Sequence, residues 1–120
     1  MVLVVDDEPI IVKACQRTLA KNLFQTDTAP NGEKALELLR EKRYDLCISD
    51  ILMPKMNGIE LFQQLRQESH DITDRFIFIT GNLLTGEIKT FLEETRRPYL
   101  LKPFSLDELR ELVRINLEKV

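Results

Sequence analysis

Val2-Leu3-Val4-Val5-Asp6-Asp7-Glu8-Pro9 opens the chain, and its reading decides the fold. Four aliphatic residues without a polar break read as a strand buried on both faces, the mark of a parallel sheet covered by helices. Three acids follow at once. Pro9 then stands where a helix can begin, because proline is tolerated at the first helical position. Ile11, Ala14, Cys15, Thr18 and Leu19 recur beyond it at helical spacing. A buried strand that turns straight into an amphipathic helix is the first half of a βαβ unit.

The same alternation continues outward from this stretch. Phe24 to Ala29 reads as a strand, with Phe24, Thr26 and Thr28 alternating, and Asn31-Gly32 is a turn that can cap a helix carrying Ala35, Leu36, Leu38 and Leu39. Tyr44 to Ser49 is a third strand ending at Asp50. Met53 to Gly58 is a loop, and Asn57 can cap the helix that carries Ile59, Leu61, Phe62 and Leu65. Arg75 to Thr80 is a fourth buried strand, Gly81 to Gly86 a loop, and Ile88, Phe91 and Leu92 mark a short helix. Tyr99-Leu100-Leu101 is a fifth strand. Ser105-Leu106-Asp107-Glu108 has capping-box spacing and opens a last helix with Leu106, Leu109, Leu112, Val113 and Leu117 on its apolar face. Five strand–helix pairs predict a doubly wound α/β fold with a parallel sheet and right-handed crossovers.

Composition narrows the class. The 120 residues suit one domain, and 43% hydrophobic with 31% charged residues is ordinary for a globular chain. A net charge of −3 offers no overall basic footprint, so no nucleic acid is expected as a partner. No apolar run approaches the roughly 20 residues that span a bilayer. The acidic start is unlike a signal peptide, so a cytoplasmic location without membrane attachment is expected. Cys15 and Cys47 have no CxxC pairing and read as small buried hydrophobes.

Ligands of open parallel sheets bind beyond the carboxyl ends of the strands. Asp6, Asp7 and Glu8 follow the first strand, Asp50 ends the third, Thr80 ends the fourth and Lys102-Pro103 follows the fifth. The second strand contributes only Ala29-Pro30-Asn31. In the order 2-1-3-4-5, carboxylates, a hydroxyl and an ammonium converge on one edge. Clustered carboxylates repel and need a cation, and hard oxygen ligands without His or Cys point to Mg²⁺ or a similar ion, with Mn²⁺ as a substitute. A carboxylate can itself attack phosphorus and form an acyl phosphate. Mg²⁺, Lys102 and the Thr80 hydroxyl could neutralise the transferred group from three sides.

Val4-Val5-Asp6-Asp7-Glu8, Ala29-Pro30-Asn31-Gly32-Glu33-Lys34-Ala35-Leu36, Asp45-Leu46-Cys47-Ile48-Ser49-Asp50, Met53-Pro54-Lys55-Met56-Asn57-Gly58 and Leu101-Lys102-Pro103-Phe104 stand here in one order. In that order the chain resembles the receiver domain of two-component response regulators over nearly its whole length. The resemblance implies a (βα)₅ flavodoxin-like fold and a phosphorelay switch rather than an enzyme with a separate substrate. It implies Asp50 as phospho-acceptor. It implies Asp6 and Asp7 as Mg²⁺ holders, with Asp7 favoured as direct ligand, and the Leu52 backbone carbonyl as a further one. Lys102 would contact the phosphoryl group, and the Lys102–Pro103 bond would be cis. Thr80 would turn toward the phosphate and the Tyr99 ring would follow it inward. Leu52 and Asn82 would border the approach of water. The donor would be a histidine kinase or a histidine phosphotransfer domain. An effector or fused domain would read the face made by the fourth helix, the fifth strand and the last helix. The strand before Asp6 is a residue or two shorter than the family pattern, so residues 1–120 are expected to be one receiver domain cut from a longer protein. Leu112 stands where winged-helix transcription-factor receivers typically carry Arg, and the surrounding sequence looks more like receivers of hybrid histidine kinases.

Plainer readings stand beside these. Glu8 serves equally as an acid complementing a helix dipole. Asp50 in isolation reads as a strand-end cap, Thr80 as a β-branched strand residue, Tyr99 as packing and Lys102 as a loop lysine. Met53 and Met56 read as core filler, and His70, in the polar stretch 67–71, as a solvated loop histidine. Two other functions compete. A Mg²⁺-dependent phosphatase of the haloacid dehalogenase type wants a second Asp two residues after the nucleophile, where this chain has Leu52. A flavodoxin-like cofactor binder wants a Ser/Thr/Gly-rich loop after the first strand, where this chain has three acids.

Overall fold

The computed structural model describes residues 1–81 and 86–118. Strands β1 (Val2–Val5), β2 (Thr26–Ala29), β3 (Leu46–Asp50), β4 (Phe76–Thr80) and β5 (Tyr99–Leu101) alternate with helices α1 (Pro9–Lys21), α2 (Gly32–Glu41), α3 (Gly58–Gln67), α4 (Gly86–Thr95) and α5 (Leu106–Glu118). All strand pairs are parallel, and the order is β2-β1-β3-β4-β5, as the alternation predicted. The predicted loop between β4 and α4 lies mostly outside the described residues.

Continuous apolar strands serve two cores at once. Leu3, Val5, Cys47, Phe76 and Phe78 face the layer of α2, α3 and α4. Val2, Val4, Leu46, Ile48, Ile77 and Ile79 face α1 and α5 through Cys15, Leu19, Leu109 and Val113. The first core contains an edge-to-face aromatic cluster, with Phe62 5.3 Å from Phe76 and 5.5 Å from Phe91 between ring centroids. Helix starts follow the sequence signals. Pro9 opens α1, the Asn31 side chain accepts from the Lys34 N–H, and Asn57 with Glu60 completes a reciprocal capping box. Ser105 and Glu108 exchange bonds of 3.1 Å at the start of α5.

Several boundaries differ from the predicted ones for local reasons. Phe24 is not in β2, because its N–H is spent on the Leu19 carbonyl and Leu23 is left-handed with φ 67°. Tyr44 precedes β3, its ring buried and its hydroxyl donating to Asp27 at 2.5 Å. Arg75 belongs to a 3₁₀ turn over Asp71–Arg75. Leu106 is exposed rather than on the apolar face of α5. His70 is not a solvated loop residue. Its Nδ1 accepts from the Ile72 N–H at 3.1 Å and its Nε2 meets the Leu39 carbonyl at 2.9 Å. It therefore caps the 3₁₀ turn and ties it to the last turns of α2. Cys15 and Cys47 are free and buried. No helix among the described residues is long and apolar enough to cross a membrane.

Candidate functional site

The strand order brings the carboxyl ends of β1, β3 and β4 together, with the residue after β5 beside them. Asp6 follows Val5, Asp50 closes β3, Thr80 closes β4 and Lys102 follows Leu101. Asp6, Asp7, Glu8 and Asp50 each offer a carboxylate oxygen within 4.8 Å of the others. Lys102 Nζ stands 2.6 Å from Glu8 Oε1, 3.1 Å from Asp50 Oδ2 and 3.7 Å from Asp6 Oδ2. The Lys102 N–H donates to the Thr80 carbonyl at 2.9 Å, and the Lys102–Pro103 peptide is cis.

Burial sets the electrostatics. Asp6 and Asp50 are 2% and 4% exposed. Burial lifts the Asp6 carboxyl from 3.8 to about 6. A hydrogen bond from the Glu8 N–H at 2.9 Å and the nearby Lys102 hold it down, while the Asp50 charge pushes it further up. Burial likewise raises Asp50, against the Lys102 hydrogen bond and charge. Burial opposes the charge of Lys102, yet Glu8 and Asp50 outweigh it and hold the ammonium above the ordinary lysine range. Asp6 Oδ2 is buried without a hydrogen-bond partner. An orphaned carboxylate oxygen among four hard oxygen donors fits a divalent cation such as Mg²⁺ and fits no soft metal.

The other candidate residues take distinct places. Thr80 is buried at the end of β4, and Tyr99 is exposed at the start of β5. Leu52 follows Asp50 by two residues and is 59% exposed. Asn82 lies outside the described residues. One residue that the sequence left without a role, and one that it did not single out, stand at this cluster. Glu8, read as a helix-dipole acid, makes the shortest contact to Lys102; its signal was its position at the helix entry, where its side chain forms no cap. Gly58 packs its α-carbon beneath the Asp50 backbone, and a Cβ there would overlap the Asp50 carbonyl oxygen and stand 3.0 Å from Ile51 Cα. Nothing in the sequence beyond a glycine at a helix start announces that approach.

The chain is thus a doubly wound parallel α/β domain with an acid cluster and a lysine gathered at the carboxyl ends of its strands. The family model for the response regulator receiver domain matches residues 2–114. The chain belongs to that family. It is 31% identical over 118 residues to the response regulator MprA of Mycolicibacterium vanbaalenii, covering 98% of this chain and 50% of that protein. It is 35% identical over 120 residues to the sensor histidine kinase RcsC of Salmonella typhi, covering all of this chain and 12% of that protein. The chain thus spans half the length of MprA and a small part of RcsC. Among solved structures, the response regulator TrrA of Thermotoga maritima, in complex with Mg²⁺ and beryllofluoride, superposes with a TM-score of 0.79 at 34% identity. The match covers 96% of each chain.

Proposed function

We propose that this domain is a phospho-acceptor switch in which Asp50 takes a phosphoryl group from a phospho-histidine donor. The observation that carries the reading is the Lys102 ammonium held between Asp50, Glu8 and Asp6 beside an orphaned Asp6 oxygen. An Asp50 oxygen attacks phosphorus and forms an O–P bond. The N–P bond of the donor breaks and its electron pair returns to an imidazole ring protonated on its other nitrogen, so that the ring leaves as neutral histidine. The product is an acyl phosphate, and no separate base is required because the attacking carboxylate carries no proton. Asp6, Asp7 and Asp50, with the Leu52 carbonyl, would hold Mg²⁺. Bound there, the ion would neutralise charge on the transferred group. Lys102 remains the protein's own cation for the phosphoryl oxygens.

Release of the group needs water in line with the phosphorus. Leu52 is apolar and covers that approach, while Asn82 can hydrogen-bond a water without repelling it. Covering the phosphorus slows hydrolysis whatever the electrostatics. The Thr80 hydroxyl turns toward the phosphoryl group and Tyr99 moves inward, a shift in a two-state equilibrium that alters the face of α4, β5 and α5. The parts of MprA and RcsC that this chain matches support reading residues 1–120 as one receiver module of a longer protein.

Two measurements test the division of labour. Asp7→Ala should weaken Mg²⁺ binding strongly, whereas Lys102→Ala should leave it intact or tighter, because a competing cation is removed. Loss of Mg²⁺ binding in a folded Lys102→Ala variant would contradict the assignment. Beryllofluoride with Mg²⁺ should shift NMR signals at Thr80 and Tyr99 and along α5. Shifts confined to the metal-contacting residues would leave the domain a phosphate sink without an output face.

A further inference from the structure

A second concentration of charge lies at the opposite pole of the sheet, where β4 and β5 begin. Arg75 closes the 3₁₀ turn ahead of β4, and Arg96 and Arg97 link α4 to β5. With the last turns of α5 they line a cavity of about 470 Å³. Small-molecule sites commonly span roughly 300–1,000 Å³. The lining joins three guanidinium groups to the apolar surface of Pro98, Leu112 and Ile115, with Asp74 its one carboxylate.

Arg96 and Arg97 have no charged acceptor among the described residues. Arg97 donates from Nε to the Phe76 carbonyl at 3.2 Å and from a terminal nitrogen to Asn116 Oδ1 at 3.3 Å. Both acceptors are neutral, and Arg97 forms no ion pair with a described residue. Asn116 is oriented in turn by donating to the Leu112 carbonyl at 2.8 Å. Burial pushes the Arg97 guanidinium below the ordinary arginine range, with the Asp74 charge acting against it. Arg75, its side chain 12% exposed, donates to the Tyr44 carbonyl at 3.3 Å and to Asp71 at 3.4 Å, and Arg43 approaches that same acid at 3.6 Å. The side chain of Arg96 has no hydrogen bond or ion pair with any described residue. Its backbone is left-handed, with φ 55°, where glycine would sit without strain. Arg96 is exposed at the cavity's rim, and beside it the half-buried Arg97 guanidinium meets only neutral acceptors, which leaves both cations open to an anionic ligand.

We propose that this cavity binds an organic phosphate, its phosphate groups on Arg96 and Arg97 with support from Arg75, and its apolar body against Leu112, Ile115 and Pro98. Guanidinium forks match phosphate oxygens in pairs, which a lysine cannot do. Three arginines against one aspartate keep the cavity cationic in a chain whose net charge is −3. The site is independent of the chemistry at Asp50, since the two lie at opposite ends of parallel strands.

The test is an NMR titration of the isotope-labelled chain in EDTA, so that no metal brings phosphate to Asp50. Inorganic pyrophosphate and adenosine diphosphate are added separately. Both should give saturable shifts at residues 74–75, 96–98 and 112–116, with adenosine diphosphate the tighter of the two. Arg96→Gly should weaken both by about tenfold, the loss of one charge-assisted contact. The same substitution relieves the left-handed backbone, so its thermal midpoint should not fall, and weakened binding could not be ascribed to unfolding. Absence of saturable shifts, unchanged binding by Arg96→Gly, or shifts centred on Lys102 and Asp50 would overturn the proposal. Saturation by a glutamate-rich peptide where neither phosphate binds would overturn the ligand class, and equal affinity for the two phosphates would remove the apolar subsite.

Discussion

Replacing Asp6 by asparagine should stabilise the metal-free protein at neutral pH and abolish one component of its pH dependence. The Asp6 carboxyl titrates near 3.8 in an unfolded chain and is lifted to about 6 in the fold, first by burial. Below 3.8 both states hold the proton. Between 3.8 and about 6 the folded state keeps a proton that the unfolded state has released, so stability falls as pH rises. Above about 6 the loss is complete. At about 1.4 kcal/mol for each pH unit of difference, the loss is about 3 kcal/mol. The asparagine side chain of Asp6→Asn has no charge to desolvate, and its amide oxygen can keep the 2.9 Å bond from the Glu8 N–H.

The assay is urea unfolding of wild type and Asp6→Asn in EDTA from pH 4 to pH 7.5. The variant's advantage should grow by about 3 kcal/mol across that range, a shift of about 1.5 M in midpoint at a slope of roughly 2 kcal/mol per M. Millimolar Mg²⁺ at pH 7.5 should narrow the gap, because the ion stabilises the charged cluster of the wild type more than that of the variant. A gap that stays flat with pH, or a wild type more stable than the variant at pH 7.5 in EDTA, would refute the account of Asp6 as a buried acid whose desolvation outweighs its partners.

Gly58→Ala should lower stability by about 1–3 kcal/mol, because its Cβ must displace the Asp50 backbone. The thermal midpoint should fall by about 4 °C for each kcal/mol in a chain of this length, and phosphoryl acceptance should slow; an unchanged midpoint would mean that the β3–α3 approach is looser than the geometry states. His70→Ala should lower stability by about 1–2 kcal/mol through loss of the Ile72 cap and the Leu39 contact. His70→Asn should recover part of that in chemical denaturation, and a neutral His70→Ala would return the residue to the solvated role its sequence suggests. Leu52→Asn should speed loss of phosphate from the phosphorylated protein at fixed Mg²⁺, with Asn82→Ala changing it less. The reverse ranking, with Asn82→Ala moving the rate about tenfold, or 1.4 kcal/mol in the barrier, would show that water access is governed elsewhere.

The parts of the molecule legible in the sequence are those whose signal is local. Val2–Val5 and Phe76–Ile79 are apolar on every residue because helices cover both faces, and no amphipathic reading competes. Asn31, Asn57 and Ser105 cap the helices they precede because capping depends on atoms within three residues. Strand ends then place Asp6, Asp50, Thr80 and Lys102 on one edge once the strand order is assumed. What was not legible depends on distant partners. Glu8 gains its place from a lysine 94 residues away. His70 gains its place from a carbonyl on α2 and looks, in its polar neighbourhood, like a surface residue. Phe24 and Tyr44 carry strand-like side chains, but helix-end hydrogen bonds and a buried hydroxyl contact draw them out of the ladders.

The central claim is that Asp50 accepts a phosphoryl group, and intact-mass and peptide analysis after incubation with phosphoramidate and Mg²⁺ tests it most directly. The protein should gain one base-labile phosphoryl group, mapped to Asp50, and Asp50→Asn should gain none because an amide is a poor nucleophile. Full labelling of Asp50→Asn at another residue, or a wild type that stays unmodified with Mg²⁺ bound, would contradict it.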